Sequence, residues 1–123
     1  MTVVDEPRTP IGICDMAALV PGRGVCALVD GVAVALFLVD GELYAIGNHD
    51  PFTDASVLSR GLVGSTMIDG NEVRYVASPL RKHRFELSSG RSLDDPEVTV
   101  GSWAVRCIDG QVLIGPEPLR SLE

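Results

Sequence analysis

The chain has 123 residues, 46% of them hydrophobic and 22% charged, with a formal net charge of −7. That length suits one domain with its own core, and that composition excludes global disorder. The acidic balance opposes binding to nucleic acid, whose affinity comes from neutralised phosphates, and adsorption to anionic membranes.

Residues 1–10 carry Asp5, Glu6, Arg8 and two prolines, with no basic region ahead of an apolar stretch. They read as a flexible N-terminal arm and not as a secretory signal. No apolar run has the length of a membrane span. Cys14, Cys26 and Cys107 form no C-x2-C pair. An odd, sparse set without a leader suggests reduced thiols in a cytoplasm, packed as small buried apolar side chains.

Residues 11–14 read as a short first strand, and 15–19 as one capped helical turn stopped by Pro21-Gly22. The strongest local signal after that is a repeated dipeptide, Asp30-Gly31, Asp40-Gly41, Asp69-Gly70 and Asp109-Gly110. A two-residue type I′ turn needs positive φ at both centres, which Asp-Gly adopts at low cost, so each pair predicts a hairpin. Val25–Val29 and Val32–Val39 form the first, and residues 42–46 return beside them. Val32–Val39 is apolar throughout, which predicts cover on both faces. Leu62–Ile68 with 72–77, and Trp103–Ile108 with 111–114, make two more hairpins. Residues 84–87 and 98–100 could complete the sheets, with Phe85 and Leu87 inward and Arg84 outward. Residues 116–123 read as a C-terminal tail. Sustained helical periodicity is absent, so the fold class is all-β with little helix: an antiparallel sandwich or small barrel built from hairpins over residues 11–115.

Two longer loops interrupt the hairpins, at residues 48–60 and 78–83, and long loops on a β scaffold are common places for function. The segments around them resemble a Rieske domain in kind and order. Leu43-Tyr44-Ala45-Ile46-Gly47-Asn48 leads into the first loop, and Leu58-Ser59-Arg60-Gly61-Leu62-Val63 follows it. Ser78-Pro79-Leu80 is followed by Arg84-Phe85-Glu86-Leu87, Ser89-Gly90-Arg91 and Leu93-Asp94-Asp95-Pro96. In that family the loops carry Cys-x-His and Cys-x-x-His, two cysteines on one iron and two histidines on the other. Here Asp50 and Phe52 stand at the first pair of ligand positions, and Ser78 and Arg81 at the second. Soft thiolates hold such clusters, and a hydroxyl, a phenyl ring and an always-charged guanidinium do not replace them.

Asn-x-Asp-Pro-Phe, Leu-Ser-Arg-Gly, Ser-Pro-Leu and Leu-Asp-Asp-Pro in combination resemble the small subunit of the assimilatory NAD(P)H-dependent nitrite reductase. The resemblance implies a Rieske-like fold without a cluster in most members. It implies an accessory role beside a large subunit that carries FAD, an iron–sulfur centre and sirohaem and reduces nitrite to ammonium. On that reading this chain has no cofactor, metal or catalytic residue of its own. The alternatives are a Rieske-type ferredoxin, which the ligand positions oppose, and an orphan interaction domain of another oxidoreductase.

Several residues carry two readings. His49, Asp50 and His83 could form a mononuclear metal site if the loops meet, or hydrogen-bond locally. Arg81-Lys82-His83-Arg84, with Arg60, is either a solvated charge run or a docking patch for the large subunit. Phe52 either fills the hollow left by a cluster or anchors a partner, and Trp103 is core or interface. No nucleophile elbow, H-E-x-x-H or phosphate loop is present.

Overall fold

A computed structural model describes residues 10–119. Its strands in chain order are β1 (Ile11–Asp15), β2 (Val25–Val29), β3 (Val32–Val39), β4 (Glu42–Gly47), β5 (His49–Asp50), β6 (Ala55–Ser56), β7 (Leu62–Ile68), β8 (Asn71–Ala77), β9 (Arg84–Glu86), β10 (Trp103–Ile108) and β11 (Gln111–Pro118). Antiparallel pairing gives the sheets β1-β11-β10, β2-β3-β4 and β7-β8-β9, and a small β5-β6 ladder. Among the described residues the helical content is two single 3₁₀ turns, Met16–Ala18 and Leu58–Arg60.

The four Asp-Gly pairs make the turns expected of them. Asp30, Asp40, Asp69 and Asp109 have φ of 52°, 50°, 51° and 51°, and Gly31, Gly41, Gly70 and Gly110 have 83°, 81°, 80° and 80°. Aspartate tolerates the left-handed region, and glycine enters it without a Cβ penalty.

β3 explains the architecture. Val34, Leu36 and Leu38 enter one core with Leu19, Val29, Ala45, Trp103, Val112 and Ile114. Ala35 and Phe37 enter a second core with Ile46, Leu58, Val76, Phe85 and Leu87. An unbroken apolar strand is therefore the shared wall between two cores, each large side chain contributing about 1.5–3 kcal/mol of burial. Phe85 and Leu87 point inward as alternation requires.

Three expectations are corrected. Residues 98–100 form no strand, contributing only the bridge Arg91↔Thr99. β11 runs past residue 114 to Pro118, so the start of the expected tail pairs with Trp103. Cys26 and Cys107 are exposed on the outer strands β2 and β10 and do not pack as core residues, whereas the half-buried Cys14 packs against the first core.

The fold sets two loops side by side at one end. β4 delivers the first and β8 the second. A Cβ on Gly61, where the first loop ends, would lie 2.3 Å from the carbonyl oxygen of Ala77, where the second begins. Only glycine allows that approach.

Candidate functional site

The first loop is organised by Asn48, which the sequence reading did not single out. Its side chain is buried. Its Nδ2 donates to Ser56 Oγ (2.8 Å), and its Oδ1 accepts from the Ser59 N–H (2.7 Å). Its backbone N–H donates to Ala33 and its carbonyl accepts from Leu58. Asn48 thus ties the loop to itself through its side chain, which also reaches Cys26 Sγ on β2, and to the start of β3 through its backbone. The signal was its place as the first residue after a strand, with the donor–acceptor chemistry that loop backbones need.

The second loop is closed by backbone bonds from Ser78 N–H to His83 O (2.8 Å) and from Lys82 N–H to Ser78 O (2.9 Å). Lys82 sits at φ 61°, the left-handed region that non-glycine residues seldom enter. The two loops meet where Phe52 stacks on His83, with ring centroids 4.1 Å apart and planes 17° from parallel. Phe85 lies 6.0 Å from Phe52 at the edge of the second core. Phe52 is thus half-buried packing and not a projecting anchor.

Asp50 and Ser78 are buried beneath this stack. Asp50 Oδ1 accepts from the Phe52 N–H at 2.9 Å. Asp50 Oδ2, Thr53 Oγ1, Ser78 Oγ and His83 Nδ1 are buried without a hydrogen bond of good geometry. Burial raises the Asp50 carboxyl's pKa, but the Ser78 hydroxyl, the Phe52 N–H, the Thr53 hydroxyl and the charge of His83 together outweigh it and hold the group below the usual aspartate value.

A folded-state pKa below the unfolded one adds stability that is complete above the unfolded value, near 3.9, and is lost as pH falls through the folded value. Urea unfolding from about pH 6 to pH 2.5 is expected to show wild type losing stability in the acid window. Asp50→Asn is expected to show a shallower loss there; parallel acid limbs would contradict the assignment. Asp94, whose pKa is lowered chiefly by its hydrogen bond to Arg84, contributes in the same direction in both proteins.

The residues at the four expected ligand positions do not fit an iron–sulfur cluster. They offer one carboxylate, one hydroxyl, a phenyl ring stacked on an imidazole, and an exposed guanidinium. No thiolate is among them. The mononuclear alternative fares no better, because His49 turns away to an exposed pair with Asp54 at 2.9 Å. Among the described residues no group of three or more His, Cys, Asp or Glu is placed to hold a metal ion.

The basic run divides. Arg84 is engaged: its Nη2 reaches Asp94 Oδ1 at 3.1 Å, its N–H reaches Asp94 Oδ2 at 2.8 Å, and its guanidinium lies 5.7 Å from the Tyr75 ring centroid. His83 is turned into the tip under Phe52. Arg60, Arg81 and Lys82 are exposed, and so is Leu80, next to Arg81 in the chain.

Residues 11–115 match the family of Rieske-like [2Fe-2S] domains. A nitrite reductase (NADH) small subunit of Salmonella typhimurium is 43% identical over 102 residues, covering 81% of this chain and 91% of that protein. The chain belongs to this family of small subunits. A crystal structure from Mycobacterium tuberculosis, assigned as an NADH-dependent nitrite reductase small subunit, superposes with a TM-score of 0.81 at 38% identity, covering 95% of this chain and 100% of that one. A nitrite reductase [NAD(P)H] large subunit of Klebsiella oxytoca contains a stretch 37% identical over 118 residues, which covers 93% of this chain and 12% of that protein. Within this Rieske-like family, the present small subunit keeps the two-loop tip and fills it with packing and polar side chains.

Proposed function

We propose that this chain is the accessory small subunit of an NAD(P)H-dependent nitrite reductase, without a cluster of its own, and that it docks on the large catalytic subunit through its tip. The observation that carries the reading is likeness over nearly the full length of known small subunits, joined to a tip that offers no thiolate to hold an iron–sulfur cluster. The Klebsiella oxytoca protein supports the pairing, because there a matching stretch lies within the large-subunit chain itself. FAD, the iron–sulfur centre and sirohaem then belong to the large subunit, where nitrite becomes ammonium. This chain holds that subunit in a competent arrangement, in the cytoplasm where NAD(P)H is made available. Arg60, Arg81 and Lys82 supply a basic face in an otherwise acidic protein, suited to steering an acidic partner surface.

Mixing the purified chain with its large subunit is expected to give one co-eluting complex in size-exclusion chromatography at moderate salt. Separate elution at every ratio would remove the proposal.

A further inference from the structure

Among the described residues, the β7-β8-β9 sheet gives β7 a neighbour on one side only. Its ladder with β8 runs without a register shift from Leu62↔Ala77 to Ile68↔Asn71. The strand, Leu-Val-Gly-Ser-Thr-Met-Ile, has none of the devices that blunt an edge: no charge, no proline and no bulge. It also holds three large apolar side chains in water, with Leu62 79%, Met67 65% and Ile68 42% exposed. An open, regular, uncharged edge is a template for another strand.

The strand is matched to itself. About a two-fold axis through Ser65, an antiparallel copy sets Leu62 opposite the second copy's Ile68, Val63 opposite Met67, and Gly64 opposite Thr66. Opposed residues in an antiparallel pair share a face, so the exposed Leu62 and Ile68 meet across the axis, and the half-buried Val63 meets the exposed Met67. The flanks agree in charge, since Arg60 then lies beside the second copy's Asp69-Gly70 turn, and the reverse. A slip that opposed Leu62 to Asp69 would lose both matches. Leu62 and Ala77 mark the tip end of the hairpin, so antiparallel pairing points the two tips in opposite directions and leaves each open.

We propose that β7 pairs antiparallel with β7 of a second copy of this chain, joining two three-stranded sheets into one of six strands. The contact is a single strand wide, so the dimer is weak and concentration-dependent. This inference stands on the edge alone and does not need the large subunit.

Sedimentation equilibrium of the purified chain, from about 10 µM to about 1 mM, tests it. A reversible monomer–dimer equilibrium is expected for wild type. The single variants L62E and I68R should each weaken it at least tenfold. The double variant L62E/I68R should recover it, because each new carboxylate faces a new guanidinium across the axis. Circular dichroism checks that each variant keeps its sheet content. If a variant does not fold, amide exchange of wild-type β7 gives the second readout, with protection rising as concentration rises. Wild type that stays monomeric throughout, a dimer indifferent to both single variants, a double variant as weak as the singles, or β7 exchange independent of concentration would overturn the proposal.

Discussion

The double variant R81E/K82E is expected to weaken binding of this chain to the large subunit at least tenfold while leaving its unfolding curve unchanged. Both side chains are exposed, and neither forms an ion pair among the described residues, so the folded chain loses nothing when they are reversed. Lys82 holds a left-handed φ at the apex of a loop fixed by two backbone hydrogen bonds. That geometry presents the cations on a rigid mount, which limits the ordering cost of an interface. Replacing attraction by repulsion at a docking rim acts mainly on the association rate and steepens with falling salt. Surface plasmon resonance at two ionic strengths reads both effects. Arg84→Ala is the control: its charge is committed to Asp94 and Tyr75, so it should affect stability modestly and binding little. Binding of R81E/K82E equal to wild type would move the interface away from the tip.

Asn48→Ala is expected to lower stability by about 3 kcal/mol, or roughly 10 °C in Tm, the larger of the structural effects. The substitution removes the donor to Ser56 and the acceptor for the Ser59 N–H at a position 2% exposed. A buried N–H left without a partner costs more than the bond it lost, because water cannot replace Oδ1 there. Thermal unfolding by circular dichroism gives the value. Asn48→Asp separates the two halves of the amide, since it keeps the acceptor for Ser59 and loses the Nδ2 donor to Ser56 and Cys26. It should fall between wild type and alanine. A loss under about 0.5 kcal/mol for the alanine variant would mean that the first loop is held by its packing alone.

Much of the fold was legible because its signals are local. Four Asp-Gly pairs fix four hairpins through φ, and an uninterrupted apolar run in β3 announces two cores. The resemblance also pointed to the two loops that the fold sets side by side. What escaped was set by long-range geometry. Nothing local distinguishes Arg84, which Asp94 neutralises from ten residues away, from Arg81, which forms no ion pair among the described residues. The inward turn of His83 depends on Phe52, thirty-one positions earlier, so a basic run read along the chain merged residues that the tip separates. The short β5-β6 ladder and the Leu58–Arg60 turn were hidden in the first loop because two-residue strands carry no periodicity. Cys26 and Cys107 misled because a thiol's burial follows the face it occupies more than its own chemistry.

In the proposed function, a tip without thiolates for a cluster docks a catalytic partner. The most direct test is the rate of nitrite-dependent NAD(P)H oxidation by the purified large subunit, titrated with this chain after removal of adventitious iron. The rate is expected to rise and saturate at a fixed subunit ratio, with no iron or acid-labile sulfide recovered in this chain when the subunits are separated again. A rate that stays flat across the titration, or a rise that depends on a cluster carried by this chain, would contradict the proposed function.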